Sequence, residues 1–472
     1  MRNIWLILTY LYRSKEVLFA VGWFLEKPNG KRLREFCGFC ASLLSTLIVP
    51  AMAYTMLLRN CGQLLTLAGP ATHLPLAGEN QRNWRVIPDG YVACVDDRIV
   101  ATGPMAELDD TLVATATIVL DASGQVVMPG LVECHTHLVF GGNRAHEFQR
   151  KLQGETYLDI LASGGGILST VRATRAASDE QLLEQALHHL KGFREYGVTT
   201  LEAKSGYGLD AETELRLLQV AREAGRRQPV RVVPTFLGAH VPGPEYRGHP
   251  ADYLHMLVQE VLPNIYPEEV PFVDIFCEEG AFSVAEARRY LEQARALGFQ
   301  LKIHAEQLHD LGGCEMAAEL GAISIDHADY LTPAGASRVA RVSGGRTVAV
   351  LLPLVPLFLR QERFAPGRAF IDAGLPVAIS TDFNPGSCPS KNLWLALSVA
   401  CLKMGLNPAE AVAAVTLNAA WAVGQQRECG SLEPGKRADI LLLHVPSLEE
   451  IPYWLGENPV QQVIIGGRIQ HA

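Results

Sequence analysis

The sequence is poor in the features that would take it out of the ordinary globular classes. Ten cysteines in 472 residues are too few for a disulfide scaffold and read as a reduced, cytoplasmic set. No sustained basic run occurs, and 41 Lys plus Arg against 50 Asp plus Glu leave a net charge of −9, so no nucleic acid is expected as a partner. Charged residues make up only 19% of the chain and apolar ones 48%, with 42 Gly and 27 Pro. That balance excludes coiled coil, collagen and wholesale disorder, and leaves a globular chain with many short turns. Gly164-Gly165-Gly166 lacks the Lys-Ser/Thr of a phosphate loop and is read as a lid or a plain turn.

One stretch departs from this texture. No charge occurs from Phe36 to Thr55, after an apolar segment from Trp5 to Leu11 and a basic patch at Lys31, Arg32 and Arg34. The layout is that of a signal peptide, Ala51-Met52-Ala53 supplying a cleavage-like site, and the uncharged run approaches the length of a membrane span. Gly38, Ser42, Ser45, Thr46 and Pro50 weaken a span, and a β-rich segment starts directly after Met56. Residues 1–55 are therefore expected to lie outside the fold, as a gene-start artefact ahead of Met52 or Met56, and a membrane partner is expected only if this leader is real. Cys37-Gly-Phe-Cys40 falls within it, without a βαβ context, and is not read as a redox site.

From Leu57 to Met128 the pattern is short and β-like, with runs at Leu57–Leu67, Gly90–Val95, Arg98–Ala101, Thr117–Leu120 and Gln125–Met128. Short apolar runs then alternate with helical periodicity, the texture of βα units on a parallel sheet. Strands are predicted at Leu131–Val139, Val198–Ala203, Val230–Leu237, Phe272–Cys277, Gln300–His304, Ala322–His327, Thr347–Leu352 and Val377–Ser380. Helices are predicted over Ser178–Tyr196, Ala211–Arg227, Ser283–Leu297 and Pro333–Val342, with Ser178 and Ser283 suited to cap them. Together they argue an α/β fold, a (β/α)8 barrel over residues 129–429. Helices at Lys391–Lys403 and Pro408–Trp421 lead to strands at Asp439–His444 and Val463–Ile469, which are placed to complete the N-terminal sheet. Residues 56–128 and 430–472 would then share a small β-sandwich domain.

The strongest chemical signal is Pro129-Gly130-Leu131-Val132-Glu133-Cys134-His135-Thr136-His137. On a strand, His135 and His137 point to one face and can share a metal, or be satisfied by hydrogen bonds alone. His304 ends the fifth strand and Asp382 follows the eighth, where barrel strands converge on the face that carries active sites. Three imidazoles and a carboxylate suit one Zn or Fe ion per chain, and the N3O set accepts either. His327, ending the sixth strand, is not needed as a ligand but is placed to polarise a carbonyl or pass a proton. Glu306 is a candidate general acid/base, the alternative being a solvated loop side chain. The fourth strand holds no Lys, which favours one metal over two, and Lys204 at the end of the second strand is no substitute there. Arg144, in the loop after the first strand, is suited to a bidentate carboxylate contact.

These segments resemble the amidohydrolase superfamily and, within it, the imidazolonepropionase family, over residues 56–472. The discriminating pieces are Leu138-Val139-Phe140-Gly141-Gly142-Asn143-Arg144, Lys204-Ser205-Gly206-Tyr207-Gly208-Leu209, Phe236-Leu237-Gly238-Ala239-His240 and Ser380-Thr381-Asp382-Phe383-Asn384-Pro385-Gly386-Ser387. The resemblance implies a metal held by His135, His137, His304 and Asp382, and a small anionic substrate contacted by Arg144, Tyr207, His240, Gln307, Asn384, Gly386 and Ser387. It implies hydrolysis of the cyclic amide of 4-imidazolone-5-propanoate to N-formimidoyl-L-glutamate in histidine degradation. Glu306, His327 and Asp382 would be catalytic, Asp382 taking a proton from the attacking water and His327 stabilising the oxyanion. Deaminases of similar architecture carry Glu three residues after the strand-five His, where this chain has Gln307. That fits ring-amide hydrolysis better than deamination, the alternative being action on another cyclic amide or a heterocyclic base. An intact ligand set argues against a non-catalytic assembly protein, and a homodimer is compatible with the sequence but not fixed by it.

Overall fold

Two sheets organise the computed structural model, which describes residues 56–470 apart from 70–73, 156–158 and 160–162. The expectations placed on residues 1–55, the Cys37/Cys40 pair included, lie outside the described residues. In chain order the first sheet starts with β1 (Met56–Leu65), β2 (Val86–Val95), β3 (Arg98–Pro104), β4 (Ile118–Asp121) and β5 (Val126–Pro129). The parallel sheet follows as β6 (Leu131–Glu133), β7 (Val198–Lys204), β8 (Arg231–Ala239), β9 (Phe272–Cys277), β10 (Gln300–Ala305), β11 (Ser324–His327), β12 (Val348–Leu351) and β13 (Val377–Ile379). Each strand of this second sheet pairs with the next, the order of the expected (β/α)8 barrel. β14 (Ile440–Leu443), β15 (Val460–Ile465) and β16 (Arg468–Gln470) then return to the first sheet, β14 lying antiparallel to β5.

The barrel closes beside its C-terminal face. No ladder joins β6 to β13 among the described residues; instead Thr136 and Phe383 form a parallel bridge, and His137 N–H donates to the Phe383 carbonyl at 2.9 Å. Below that bridge the buried Glu133 carboxylate spans the seam, accepting from Thr381 N–H at 3.1 Å and from the Ser380 hydroxyl. The first barrel strand is therefore shorter than the predicted Leu131–Val139. Past Glu133 the chain stays between its neighbours but changes partners, Thr136 O accepting from Lys204 N while His137 turns to Phe383.

The helices begin where their polar caps stand. Ser178 and Ser283 each form a reciprocal capping box, with Gln181 and Glu286, opening helices at Asp179–Glu195 and Val284–Ala296. The predicted helix Pro408–Trp421 is two, Pro408–Ala414 and Leu417–Ala422, because the Val415 carbonyl leaves the helical ladder to accept from Val132 N at 2.9 Å. The predicted strand Val463–Ile469 is a hairpin: Gly466 and Gly467 take φ of 56° and 69°, a two-residue turn that reverses β15 into β16. Among the described residues no helix is long and apolar enough to cross a membrane.

Where a small β-sandwich was expected, the N- and C-terminal strands form one branched sheet. β1 pairs with β4 through Met56–Arg59 and with β5 through Gln63–Leu64, with an irregularity between Leu58 and Cys61 that separates the two halves. Ile87 of β2 and Ile464 of β15 share one buried cluster with Met56, Leu58, Val127 and Ile440, so the sheet curls round its own core. The segment between β1 and β2 leaves this core and packs on the barrel. Gln81 donates to the carbonyls of Val377 and Glu410 and accepts from Val377 N–H, and Asn418 clasps both backbone groups of Leu76 at 2.8 and 2.9 Å.

Asn418 also donates to Val377 O at 2.9 Å, at the start of β13 and away from the C-terminal face. Asn418→Ala leaves Leu76 N–H and C=O buried without partners, at about 1–3 kcal/mol for each unsatisfied group. Urea unfolding should show this loss of stability, while metal uptake by the folded fraction stays at the wild-type level.

Candidate active site at the C-terminal face of the barrel

Strand ends deliver the candidate ligands. His135 and His137 follow β6, His304 lies in β10, His327 closes β11 and Asp382 follows β13, all 0–3% exposed. Glu306, His327, Ala328 and Asp382 adopt left-handed backbone, with φ between 50° and 76°. Such non-glycine conformations are uncommon, and here they turn the chain abruptly from strand into loop at the site itself.

The orientation of the rings is set from behind. His135 Nδ1 donates to Asp326 Oδ2 at 2.7 Å and His304 Nδ1 donates to Asp274 Oδ1 at 3.1 Å. Their Nε2 atoms and Asp382 Oδ1 are buried and bonded to nothing in the protein. His135 Nε2 lies 3.4 Å and His137 Nε2 3.6 Å from that same Asp382 oxygen. Ligand atoms of His135, His137 and Asp382 fall within 4.8 Å of one another, as do those of His135, His304 and His327. Buried lone pairs with no protein donor are costly unless a cation receives them, so nitrogen and carboxylate donors so arranged fit a bound metal ion. Burial holds the imidazoles of His135 and His137 well below their ordinary pKa, and the neutral ring is the ligating form. His327 joins this cluster, a ring nitrogen lying within 4.8 Å of ligand atoms of His135 and His304.

A cavity of about 670 Å³ opens from this cluster. Arg144, Tyr207, His240, Gln307, Asn384, Gly386 and Ser387 all line it, together with His137, His304, His327 and Asp382. Ile167, Phe276 and Leu359 supply apolar wall, and Lys151 and Arg360 add two further cations. His240 stacks on His137 with centroids 5.1 Å apart and donates from Nδ1 to Gly206 O at 3.0 Å. Asn384 organises the last loop, its amide donating to Asp382 O and the Ser387 hydroxyl while its oxygen accepts from Gly386 and Ser387 N–H.

Carboxylates hold the other loops. Glu214 accepts from the N–H groups of Gly206, Gly208 and Leu209 at 2.7–2.9 Å, fixing the turn that carries Tyr207. Glu147 binds Arg144 through Nε and Nη2, both at 2.8 Å, and also accepts from Gly166 N–H, so the triple-glycine segment is a turn tied to Arg144's partner. Part of the Arg144 fork is thus already engaged, and the Nη1 end remains beside Gly386.

Glu306 requires correction. It is neither a solvated loop residue nor part of the cavity wall: its oxygens accept from Gly313 N–H at 2.6 Å and Cys314 N–H at 2.8 Å, capping the helix Gly313–Glu319. The left-handed backbone at Glu306 turns its side chain behind the strand while Gln307 faces the cavity. Asp274, Asp326, Glu147 and Glu214 were not singled out from the sequence. A signal existed for Asp274, because a carboxylate inside the otherwise apolar, buried strand Phe272–Cys277 requires a partner.

The amidohydrolase family pattern matches residues 126–470. An imidazolonepropionase of Symbiobacterium thermophilum is 47% identical over 417 residues, covering 88% of this chain and 96% of the relative. One from Bacillus velezensis is 45% identical over 413 residues, covering 87% and 96%. Among solved structures, an adenosine deaminase from Xanthomonas campestris with bound zinc superposes with a TM-score of 0.61 at 18% identity, over 88% of this chain and 92% of that one. A triazine hydrolase from Arthrobacter aurescens gives 0.64 at 16% identity, over 88% and 94%, a likeness of fold.

Gly386 lets Arg144 approach closely: a Cβ at that position would collide with Nη1 and come within 2.9 Å of Cζ, so the guanidinium would have to shift. Glu147 prevents the guanidinium from retreating freely. Gly386→Ala should therefore weaken capture of a carboxylate substrate about tenfold, or about 1.4 kcal/mol, in KM. Metal content by elemental analysis should be unchanged.

Proposed function

The chain belongs to the amidohydrolase family and, within it, to the imidazolonepropionases; from that premise we propose that it hydrolyses the ring amide of 4-imidazolone-5-propanoate to N-formimidoyl-L-glutamate. The observation that carries the reading is a single cavity with a cluster of unpartnered imidazole and carboxylate atoms at one end and a guanidinium in its wall. The first suits a polarised amide and the second a propanoate tail.

His135, His137, His304 and Asp382 would hold the ion, one per chain, as Zn or Fe. When bound, such an ion acts as a Lewis acid and makes water a competent nucleophile near neutral pH. The protein supplies the rest. Arg144 anchors the carboxylate with the donors that Glu147 leaves free, and Tyr207, His240 and Gln307 surround the ring. Asn384, Gly386 and Ser387 fix the substrate's other edge and the pose of Asp382. Asp382 takes the proton of the attacking water as oxygen bonds to the carbonyl carbon, and His327 donates toward the developing oxyanion. The C–N bond then breaks, the proton returns to the leaving ring nitrogen, and the amidine-bearing product forms. With the Glu306 carboxylate held by backbone N–H groups, Asp382 is the group to which we assign both proton transfers. The eight described cysteines are free thiols, in keeping with a reducing compartment, and we place the chain in the cytoplasm, acting alone or as a homodimer.

His137→Ala should lose bound metal and activity together, and chelation of the wild type should abolish ring opening until Zn or Fe is restored. Loss of the ring's ultraviolet absorbance without release of ammonia distinguishes this reaction from deamination. Full activity in a metal-free preparation would remove the assignment.

Arg144→Lys keeps charge but loses the planar fork, and Arg144→Ala loses both. A charge-assisted contact of roughly 1.5–3 kcal/mol corresponds to about ten- to a hundredfold in affinity, so KM should rise by that range for Arg144→Ala and by less for Arg144→Lys. Wild-type kinetics in Arg144→Ala would separate the guanidinium from substrate capture.

A further inference from the structure

Behind the ligating histidines lies a cluster of charges that the proposed chemistry does not use. Lys204 Nζ, at the end of β7, stands 2.7 Å from Asp274 Oδ2, 3.1 Å from Glu202 Oε2 and 3.2 Å from Asp326 Oδ2, with all four side chains fully buried. Asp326 and Asp274 are the two carboxylates that receive Nδ1–H from His135 and His304. Their remaining contacts are local: Ser324 donates to Asp326 Oδ1 at 2.6 Å, and Ile275 N–H to Asp274 Oδ1 at 2.8 Å. The other buried ammonium, Lys302, is paired with Glu202 at 2.7 Å. Among the described residues, Lys204 is the one cation paired with both carboxylates.

The spacing has a second meaning. Atoms of Asp274, His304 and Asp326 lie within 4.8 Å of one another, close enough for a cation to sit among them, and the ammonium of Lys204 bonds to both carboxylates of that group. A buried carboxylate stays in place only when its lone pairs are met, and here the same ammonium meets one oxygen on each. Each carboxylate in turn fixes which nitrogen of its histidine faces the cluster, the outer-layer control that sets ligand direction in metal sites.

We propose that Lys204 is a positioning residue for the metal site, its ammonium locking Asp274 and Asp326 so that His135 and His304 both turn Nε2 toward the ion. The inference rests on the metal assignment above. It differs from a merely structural role because it acts on two ligands at once, through strands β11 and β9, without touching metal or substrate.

The test uses the full chain loaded with cobalt(II) as a spectroscopic probe. Lys204→Met should bind the ion ten- to a hundredfold more weakly in competition with a chromophoric chelator, and its visible d–d bands should shift as the two rings relax. Because the variant leaves buried carboxylates unpaired and can fail to fold, Lys204→Met/Glu202→Gln is measured beside it, removing one charge of each sign while keeping Asp274 and Asp326; it should show the same loss. A wild-type measurement stands independently of folding. With ¹⁵N-labelled lysine and histidine, His135 and His304 should be Nδ1–H tautomers in the metal-free chain, and the Lys204 ammonium resonance should move on metal loading. A folded variant with wild-type affinity and spectrum, or a Lys204 resonance indifferent to metal, would overturn the proposal. Failure of the wild type itself to take up cobalt through nitrogen ligands would instead remove the metal assignment on which it rests.

Discussion

Charge buried inside the barrel is the constraint on which the rest of the structure depends. Glu202, Lys204, Asp274, Lys302 and Asp326 project into the interior from β7, β9, β10 and β11, and every one of these side chains is fully buried. Each would be intolerable alone, so the strands must hold a register in which the charges meet. That register also places His135 against Asp326 and His304 against Asp274. Hydrophobic packing makes a barrel of these strands; the ion network decides which way its polar interior faces.

A similar logic governs the loops around the cavity. Glu214, Glu147 and Glu306 are buried carboxylates that accept backbone N–H groups, and none is offered to the cavity. Carboxylates bonded to main-chain donors are strong local anchors: Glu214 satisfies three amides, Glu306 two, and Glu147 one together with the Ser169 hydroxyl and Arg144. The cavity side chains can then be presented on short, rigid turns. Asn384 does the same with a neutral amide, tying Asp382, Gly386 and Ser387 into one loop. The close approach of Arg144 to Gly386 belongs to this economy of space, since a Cβ at 386 would displace the guanidinium from its present position.

Much of the site was legible because its residues occur at strand ends within short motifs. His135 and His137 sit two apart, His304 and His327 end predicted strands, and Asp382 follows another, so each is flagged by sequence position alone. Capping serines at 178 and 283 were readable for the same reason, their bonds reaching only three residues along the chain. Less legible were features set by partners far away. The break at Val415 depends on a carbonyl taken by Val132, and the Gln81 and Asn418 contacts join residues hundreds of positions apart.

The sequence by itself determined the βα alternation, the strand that each candidate ligand ends and the chemical type of every donor, because periodicity and local motifs carry that information. Only the tertiary structure decided which carboxylates face the cavity and which turn away from it. Glu306 and Gln307 are adjacent in sequence, yet a left-handed turn at Glu306 sends one to a helix terminus and leaves the other in the wall. Asp274 stands alone in an apolar strand and Asp326 between Ile325 and His327, and only the assembled sheet brings Lys204 between them. The reason is physical: side-chain type is a local property, but the partner that makes a buried charge tolerable comes from another strand, and that pairing exists only once the barrel has closed.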